Sequence, residues 1–188
     1  DSSCCYNSSQ IWTQIGQDID GESSEDFSGF SVSFNSSGNM LAIGAGNNDG
    51  NGNNSGHVRI YENINGNWSQ LGQDIDGEAT GDYCGVSVSF SSLGNKLAIG
   101  ALDNDENGNQ SGHIRVYENI GGYWSQIWDD IDWESIGDNS GRSVWDINKY
   151  DRLYYHCGDA SSIEHNNIMN DNNIHYSPLS LCNNDGSS

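Results

Sequence analysis

Two acidic motifs contain the residue types that bind cations. The first is an alternating series of Asp and Asn side chains that ends in glycine, and it occurs at Asp103, Asp105 and Asn107 and again at Asn47, Asp49 and Asn51. Alternating oxygen side chains followed by glycine form the first half of a calcium loop. The second half is missing, because Val58 or Ile114 stands where such a loop has a bidentate Glu. The sequence thus leaves two alternatives, a calcium site and an Asn- and Asp-rich turn.

The second motif is D-I-D-G-E. It places three carboxylates within five residues, at Asp18, Asp20 and Glu22 and again at Asp74, Asp76 and Glu78. Alternation would put these carboxylates on one face, where a cation or backbone N–H groups must offset their repulsion. We expect them to cap turn amides, and a cation between two repeats is the alternative. Paired carboxylates also occur in glycosidases, but repeated copies do not make one asymmetric pocket, so no catalytic residue is assigned.

A third motif, G-H-[VI]-R-[IV]-Y, places a histidine, an arginine and a tyrosine on one face of a predicted strand. Its histidines are His57 and His113. We expect these histidines to pack across strands, and we do not expect them to bind a metal.

These motifs belong to a sequence repeat. Trp12, Trp68 and Trp124 each begin a W-x-Q tract, and successive tryptophans are 56 residues apart. The predicted organisation is an N-terminal Cys-containing segment at 1–11, repeats at 12–67 and 68–123, a degenerate third repeat at 124–176 and a tail at 177–188. Repetition favours a scaffold or a binding surface over an enzyme.

Each repeat reads as four short strands. In the first repeat these are Ser31–Phe34, Met40–Ala45, 57–61 and 68–72, and an Asn65-Gly66 hairpin signal precedes the fourth. Only 34% of the chain is hydrophobic, and no long stretch has helical spacing. The predicted fold is all-β, with propeller-like blades of four antiparallel strands that are incomplete or completed by a neighbouring subunit.

The segments SGFSVSF, LAIGA and SGHVRIY resemble the FG-GAP repeat of integrin α-subunit-like β-propellers. The resemblance covers most of the chain up to about Leu153. It implies a propeller architecture in which each repeat forms one blade.

Tryptophan marks both ends of the repeat array. In the third copy Trp128 and Trp133 replace glycines, and Trp145 replaces a serine. These three residues either cap the array or anchor another subunit. At the other end, Trp12 lies in an unmatched strand at 10–16. We expect this strand to pair with a neighbouring molecule, so that repeated contacts build a filament, or else the chain is a fragment of a larger propeller.

The five cysteines lie mostly outside the repeats, at Cys4, Cys5, Cys84, Cys157 and Cys182. In an oxidising compartment we expect Cys157 to pair with Cys182, and Cys4 or Cys5 to pair with Cys84 or with another subunit. Asn-x-Ser sequons occur at Asn7, Asn35, Asn53, Asn67 and Asn109. Asn53 and Asn109 are the first candidates for N-linked glycans, because both fall in the long predicted loop.

The net charge of −21 disfavours nucleic acids and anionic membranes as partners. No apolar run is long enough to predict membrane insertion. The sequence therefore predicts an extracellular or cell-surface structural protein, a self-assembling filament protomer or an adhesion module, with calcium as an optional cofactor. The alternative is a non-catalytic glycan- or protein-binding propeller domain of a larger secreted enzyme or receptor. Because the chain begins at Asp1, we expect a processed product or part of a longer protein.

Overall fold

The computed structural model describes residues 12–106, 108–132, 136–137, 139–147, 152–156, 167–170 and 173–174, and from residue 145 onward only the backbone pairing is described. The described residues form strands arranged in three sheets and contain no helix. All strand pairs within the sheets are antiparallel. The prediction of an all-β chain is confirmed.

The first sheet contains β1 (Ser31–Phe34), β2 (Met40–Ala45), β3 (His57–Ile64), β4 (Asn67–Gln70) and β5 (Ile75–Asp76). Its order is β1-β2-β3-β4. The long strand β3 pairs with β5 through its first two residues and with β4 through its last four. The two short strands therefore share one side of β3.

The second sheet contains β6 (Cys84–Phe90), β7 (Lys96–Ala101), β8 (His113–Ile120), β9 (Tyr123–Gln126) and β10 (Ile131–Asp132). Strands β7 to β10 begin 56 residues after β2 to β5, as in 40 + 56 = 96. The third sheet contains β11 (Ser143–Ile147), β12 (Arg152–His156), β13 (Asn167–Asn170) and β14 (Asn173–Ile174). No sheet closes into a barrel within the described residues.

The hairpin between β3 and β4 turns at Asn65 and Gly66, as the sequence predicts. Both residues have positive φ, 54° and 88°. Two consecutive left-handed residues form a type I′ turn, whose twist matches that of the flanking strands. The turn thus sets the register that opposes Asn63 to Trp68.

The sheets pack face to face, and the first strand of each sheet lies at the contact. Ser31 Oγ on β1 donates to Gly85 O (2.7 Å), and Ser87 Oγ on β6 donates to Gly141 O (2.6 Å). A Cβ atom on Gly44 would collide with Gly85 O. The backbones of neighbouring sheets therefore approach so closely that only glycine fits there.

The hydrophobic core lies between the sheets. One buried cluster joins the first two sheets and includes Val58, Ile60, Phe90 and Ile99. A second cluster joins Ile114 and Val116 of the second sheet to Val144 of the third. Each contact between two sheets thus has its own cluster of buried apolar side chains.

Candidate functional site

The predicted calcium loops form closed turns between β2 and β3 and between β7 and β8. Asp49 Oδ1 accepts a hydrogen bond from the Asn54 N–H (2.7 Å), and Asp105 Oδ1 accepts one from the Gln110 N–H (2.7 Å). The amide of Asn51 donates to Gly77 O (2.7 Å). Asp49 and Asp105 therefore satisfy N–H groups of their own loops, as in the Asn- and Asp-rich turn that the sequence allows as an alternative, and Asn51 joins its loop to Gly77.

The other loop residues of the calcium prediction differ in their surroundings. Asp103 accepts hydrogen bonds from Asn139 Nδ2 (3.1 Å) and Gln110 Nε2 (3.5 Å), and partial burial raises its pKa. Asn47 is half-buried, and Asn107 lies outside the described residues. Calcium binding at these loops remains a prediction.

The D-I-D-G-E segment connects two sheets. Its residues Ile75 and Asp76 form β5 and pair with β3 of the first sheet. Its other contacts reach the second sheet, where Arg115 Nη2 donates to Asp76 O (2.8 Å) and Arg115 Nη1 lies 3.3 Å from Glu78 Oε1. The carboxylates therefore line the junction between the first two sheets.

The same arrangement occurs one repeat earlier. Arg59 Nη2 donates to Asp20 O (2.7 Å), and its Nη1 lies 3.7 Å from Glu22 Oε1. Arg59 and Arg115 lie over the rings of Tyr61 and Tyr117, at 5.8 and 5.7 Å. The arginine of each G-H-[VI]-R-[IV]-Y motif therefore binds a D-I-D-G-E segment.

Burial changes the acid–base behaviour of this junction. Desolvation raises the pKa values of Asp76 and Glu78, and Asp74 adds to the shift at Asp76. Desolvation also raises the pKa of Tyr117 and that of the Cys84 thiol, which accepts a hydrogen bond from Arg115 Nη2 at 3.5 Å. Both Tyr117 and Cys84 are therefore protonated at neutral pH.

The two repeat histidines lie beside these carboxylates. His57 Nδ1 is 3.9 Å from Glu22 Oε2 and 3.9 Å from Asp74 Oδ2. His113 Nδ1 is 3.5 Å from Asp130 Oδ2. Both histidine side chains are buried. Burial, followed by the charge of Arg115, lowers the pKa of His113 to about 4, so its imidazole is neutral at neutral pH.

The tryptophans Trp68 and Trp124 each pack against the W-x-Q tract of the preceding repeat. Trp68 Nε1 donates to Ile15 O (3.1 Å), and Trp124 Nε1 donates to Leu71 O (3.2 Å). Their rings are tilted against Phe34 and Phe90, at 6.0 and 5.9 Å between centroids. The first tryptophan differs, because Trp12 is 92% exposed whereas Trp124 is 3% exposed.

The tryptophans of the third copy occupy different environments. Trp128 is half-buried, packs on the second core cluster and lies 5.6 Å from Lys96 Nζ. Trp145 lies in β11, opposite Tyr154 in the strand register. Trp133 lies outside the described residues. Trp128 therefore already has an intramolecular role, which is compatible with the capping alternative.

An apolar face of the first sheet is uncovered. Val32 on β1 is 57% exposed, whereas Val88, its counterpart on β6, is 7% exposed. Phe34 and Phe90 differ in the same way, and Phe30 is also exposed. The first sheet covers this face of β6, because β1 and β2 pack on it.

The sequons and the cysteines divide between buried and exposed positions. Asn53, Asn67 and Asn109 are exposed. Asn35 is buried, and its amide donates to Ser37 Oγ (3.0 Å) and Asn39 Oδ1 (2.8 Å).

Cys84 is a free, buried thiol, so the structure shows none of the predicted pairing at this cysteine. The remaining residues of these two predictions, Asn7, Cys4, Cys5, Cys157 and Cys182, lie outside the described residues.

Sequence reasoning missed the grouping of histidine with carboxylates from two successive copies of the acidic segment, which reads D-I-D-G-E in the first two repeats and D-I-D-W-E in the third. The signal was present, since the G-H-[VI]-R-[IV]-Y and D-I-D-G-E motifs recur together at fixed spacing. The return of β5 onto β3, which brings the motifs together, involves only two residues. Such a short strand has no detectable periodicity.

Neither the models of known protein families nor the curated protein sequences yield a match to this chain. The resemblance to the FG-GAP repeat therefore remains a prediction from the motifs. In the part of the chain that the structure describes, there is no helix long and apolar enough to cross a membrane.

Proposed function

We propose that this chain is a non-enzymatic structural protein that assembles head to tail into an extracellular filament or a surface adhesion module. The observation that supports this proposal is the uncovered apolar face of β1. Val32 and Phe34 are exposed there, although the same positions of β6 are buried under the first sheet.

A second copy of the chain is the occupant that fits this face. Strand β6 presents Ser87 to the sheet that follows it and packs Val88 and Phe90 against the sheet that precedes it, and β1 presents Ser31 to the second sheet in the same way. A copy placed before β1 would continue the same packing. Burying one Val or Phe side chain contributes about 1.5–3 kcal/mol, so a few such residues favour association.

Trp12, which precedes β1 in the chain, supports this direction of assembly. Trp68 and Trp124 each follow a hairpin from a long strand, β3 or β8, in their own sheet. Trp12 has no such strand among the described residues, and it is exposed. We infer that residues 10–16 pair with the last sheet of a neighbouring copy, by addition of a strand.

Several finer features belong to this proposal. The sheets act as propeller-like blades of the FG-GAP type, built from 56-residue repeats. N-linked glycans occupy the exposed sequons Asn53 and Asn109, at the outer loops. Under this proposal Trp128, Trp133 and Trp145, the tryptophans of the third sequence copy, contact the incoming copy.

A matched pair of valine variants tests the assembly. Val32→Asp places a charge on the exposed face, and burying that charge in a contact is costly. We expect Val32→Asp to keep the thermal unfolding midpoint of the parent and to abolish oligomers in light scattering and filaments in electron micrographs. Val88→Asp, the control at the same position of β6, should unfold the chain because Val88 is already buried.

A deletion of residues 1–16 tests the strand pairing separately. Monomers are expected from this deletion, and filaments of normal length would contradict the proposal. If the parent chain is monomeric at every concentration, the alternative function is supported. In that case a preceding repeat of a longer chain covers β1, and the protein is a glycan- or protein-binding propeller domain.

A further inference from the structure

Two groups of potential metal ligands occupy equivalent places in successive repeats. Glu78, Glu106, His113 and Asp130 form one group, in which one ligand atom from each residue lies within 4.8 Å of the others. Glu22, His57 and Asp74 form the other group by the same criterion. The two groups are related by the repeat, since 22 + 56 = 78, 57 + 56 = 113 and 74 + 56 = 130.

His113 supplies an observation that is independent of the carboxylates. Its side chain is fully buried, and neither Nδ1 nor Nε2 has a hydrogen-bond partner. Nδ1 is 3.5 Å from Asp130 Oδ2 and 4.0 Å from Asp132 Oδ1, so the ring points into the group. Burying an unsatisfied polar group costs about 1–3 kcal/mol. A ligand at this position would remove that cost.

The charges of the group favour a divalent cation. Glu78, Glu106 and Asp130 contribute three negative charges, and Arg115, 3.3 Å from Glu78, contributes one positive charge. Negative charge is therefore in excess at this group, and a divalent ion would offset it.

We propose that Glu78, Glu106, His113 and Asp130 bind a divalent transition-metal ion of the zinc class. Calcium takes oxygen ligands, whereas zinc combines imidazole nitrogen with carboxylate oxygen. Four protein ligands complete a tetrahedral shell, which is typical of structural zinc sites. Ligand atoms of such a shell lie roughly 3.3 Å apart, given bonds of about 2.0–2.2 Å. Glu78 and Glu106 are exposed and have room to close around the ion.

The ligands come from separate segments, so the ion would join them. Glu78 follows β5, Glu106 lies in the loop between β7 and β8, His113 begins β8 and Asp130 precedes β10. Glu78 belongs to the connection from the first sheet to the second. The ion would therefore stabilise the junction of two successive sheets.

The first group provides an internal comparison. It lacks a fourth ligand, because Gly50 stands at the place of Glu106, 50 + 56 = 106. We expect this three-ligand group to bind the same ion more weakly. The substitution Glu106→Gly would convert the second group to the ligand set of the first.

Zinc titration of the metal-depleted full-length chain tests the proposal. Isothermal titration calorimetry should show one strong site, and zinc should raise the thermal unfolding midpoint. The ring nitrogens of His113 should shift in NMR spectra of the 15N-histidine-labelled protein, with smaller changes at His57. Calcium at the same concentration should leave the ring nitrogens of His113 unshifted.

Variants assign the ligands. Glu106→Gln and Glu106→Gly should each weaken zinc binding at least about tenfold, which corresponds to about 1.4 kcal/mol. Neither should lower the midpoint of the metal-free protein, because Glu106 is exposed. His113→Asn should abolish the strong site. Because His113 is buried, loss of binding in His113→Asn could also result from unfolding. The assignment of the site therefore depends on the Glu106 variants.

Three results would overturn the proposal. The first is the absence of a zinc-dependent shift at His113. The second is zinc binding that the Glu106 variants leave unchanged, which would place the ion at other residues. The third is equally strong binding of calcium, which would remove the role of the imidazole.

Discussion

Arg115 joins four groups at the junction of the first two sheets. It donates to Asp76 O and Cys84 Sγ, lies 3.3 Å from Glu78 Oε1 and packs over the Tyr117 ring. Its guanidinium fork suits this combination, which the single ammonium of a lysine would not reproduce. These side-chain contacts join the G-H-[VI]-R-[IV]-Y and D-I-D-G-E motifs, which recur at a fixed spacing along the chain.

Replacing Arg115 should weaken the fold. Arg115→Met leaves the Glu78 carboxylate and Asp76 O without their partner, so we expect the free energy of unfolding to fall by about 2–4 kcal/mol. Urea denaturation measures this change. Arg59→Met is the matched control, and it should cost less because Arg59 lies farther from its carboxylate, at 3.7 Å. Equal losses in the two variants would contradict this ranking.

The Cys84 thiol should be unreactive in the folded protein. It is fully buried, and desolvation raises its pKa, so little thiolate forms. We expect iodoacetamide at pH 8 to leave Cys84 unlabelled in native conditions and to label it in urea, as measured by peptide mass spectrometry. A disulfide between Cys84 and Cys4 or Cys5 in the same maps would instead support the pairing predicted from the sequence.

At the level of elements, two glycines serve different purposes. Gly66 turns the β3–β4 hairpin at a φ of +88°, and a Cβ atom there would meet no atom within 4 Å. Gly44 lies in β2, where a Cβ atom would collide with the backbone of Gly85 in the next sheet. One glycine is required by backbone conformation and the other by the close approach of two sheets.

Alanine substitutions separate these two effects. Gly66→Ala should lower the free energy of unfolding by about 1–2 kcal/mol, the cost of a left-handed residue with a side chain. Gly44→Ala should cost more, because the two sheets must move apart and their apolar contacts loosen. Thermal or urea unfolding gives both values. A smaller loss at Gly44 than at Gly66 would show that the sheet contact readjusts.

The strands were predictable where alternation and turn residues were both present. The bounds 31–34 and 40–45 agree with β1 and β2, and the Asn65-Gly66 turn is confirmed. Strand β3 continues to Ile64, beyond the predicted 61, because the two-residue turn lets pairing extend to Ile64 and Asn67. The predicted strand at 10–16 is not observed for its described residues. A strand requires backbone pairing along its length, whereas the described contact of residues 12–16 with β4 is the single bond from the Trp68 side chain to Ile15 O.

For the whole molecule, charge opposes the folded state. The formal net charge is −21, and carboxylates gather at the junction of the sheets. Added salt screens such repulsion, because the Debye length falls from about 10 Å at 0.1 M to about 3 Å at 1 M. The same charge disfavours association of copies at low salt.

Sodium chloride should therefore stabilise the protein. We expect the thermal unfolding midpoint to rise by a few degrees between about 0.05 and 0.5 M. Differential scanning calorimetry measures the change, and potassium chloride is the control for an effect specific to sodium. A midpoint that falls with salt would mean that attractive ion pairs, such as that of Arg115 with Glu78, dominate over the repulsion.

The sequence by itself determined the all-β class, the first two strands and the hairpin turn, because these depend on neighbouring residues and on local backbone preferences. The tertiary structure determined which side chains from distant parts of the sequence lie together and which remain exposed. It placed His113 with Glu78 and Asp130, left Val32 exposed where Val88 is buried, and made Cys84 a core thiol. Val32 and Val88 are the same residue at the same position of the repeat, so only the position of each sheet in the stack distinguishes the open face from the covered one.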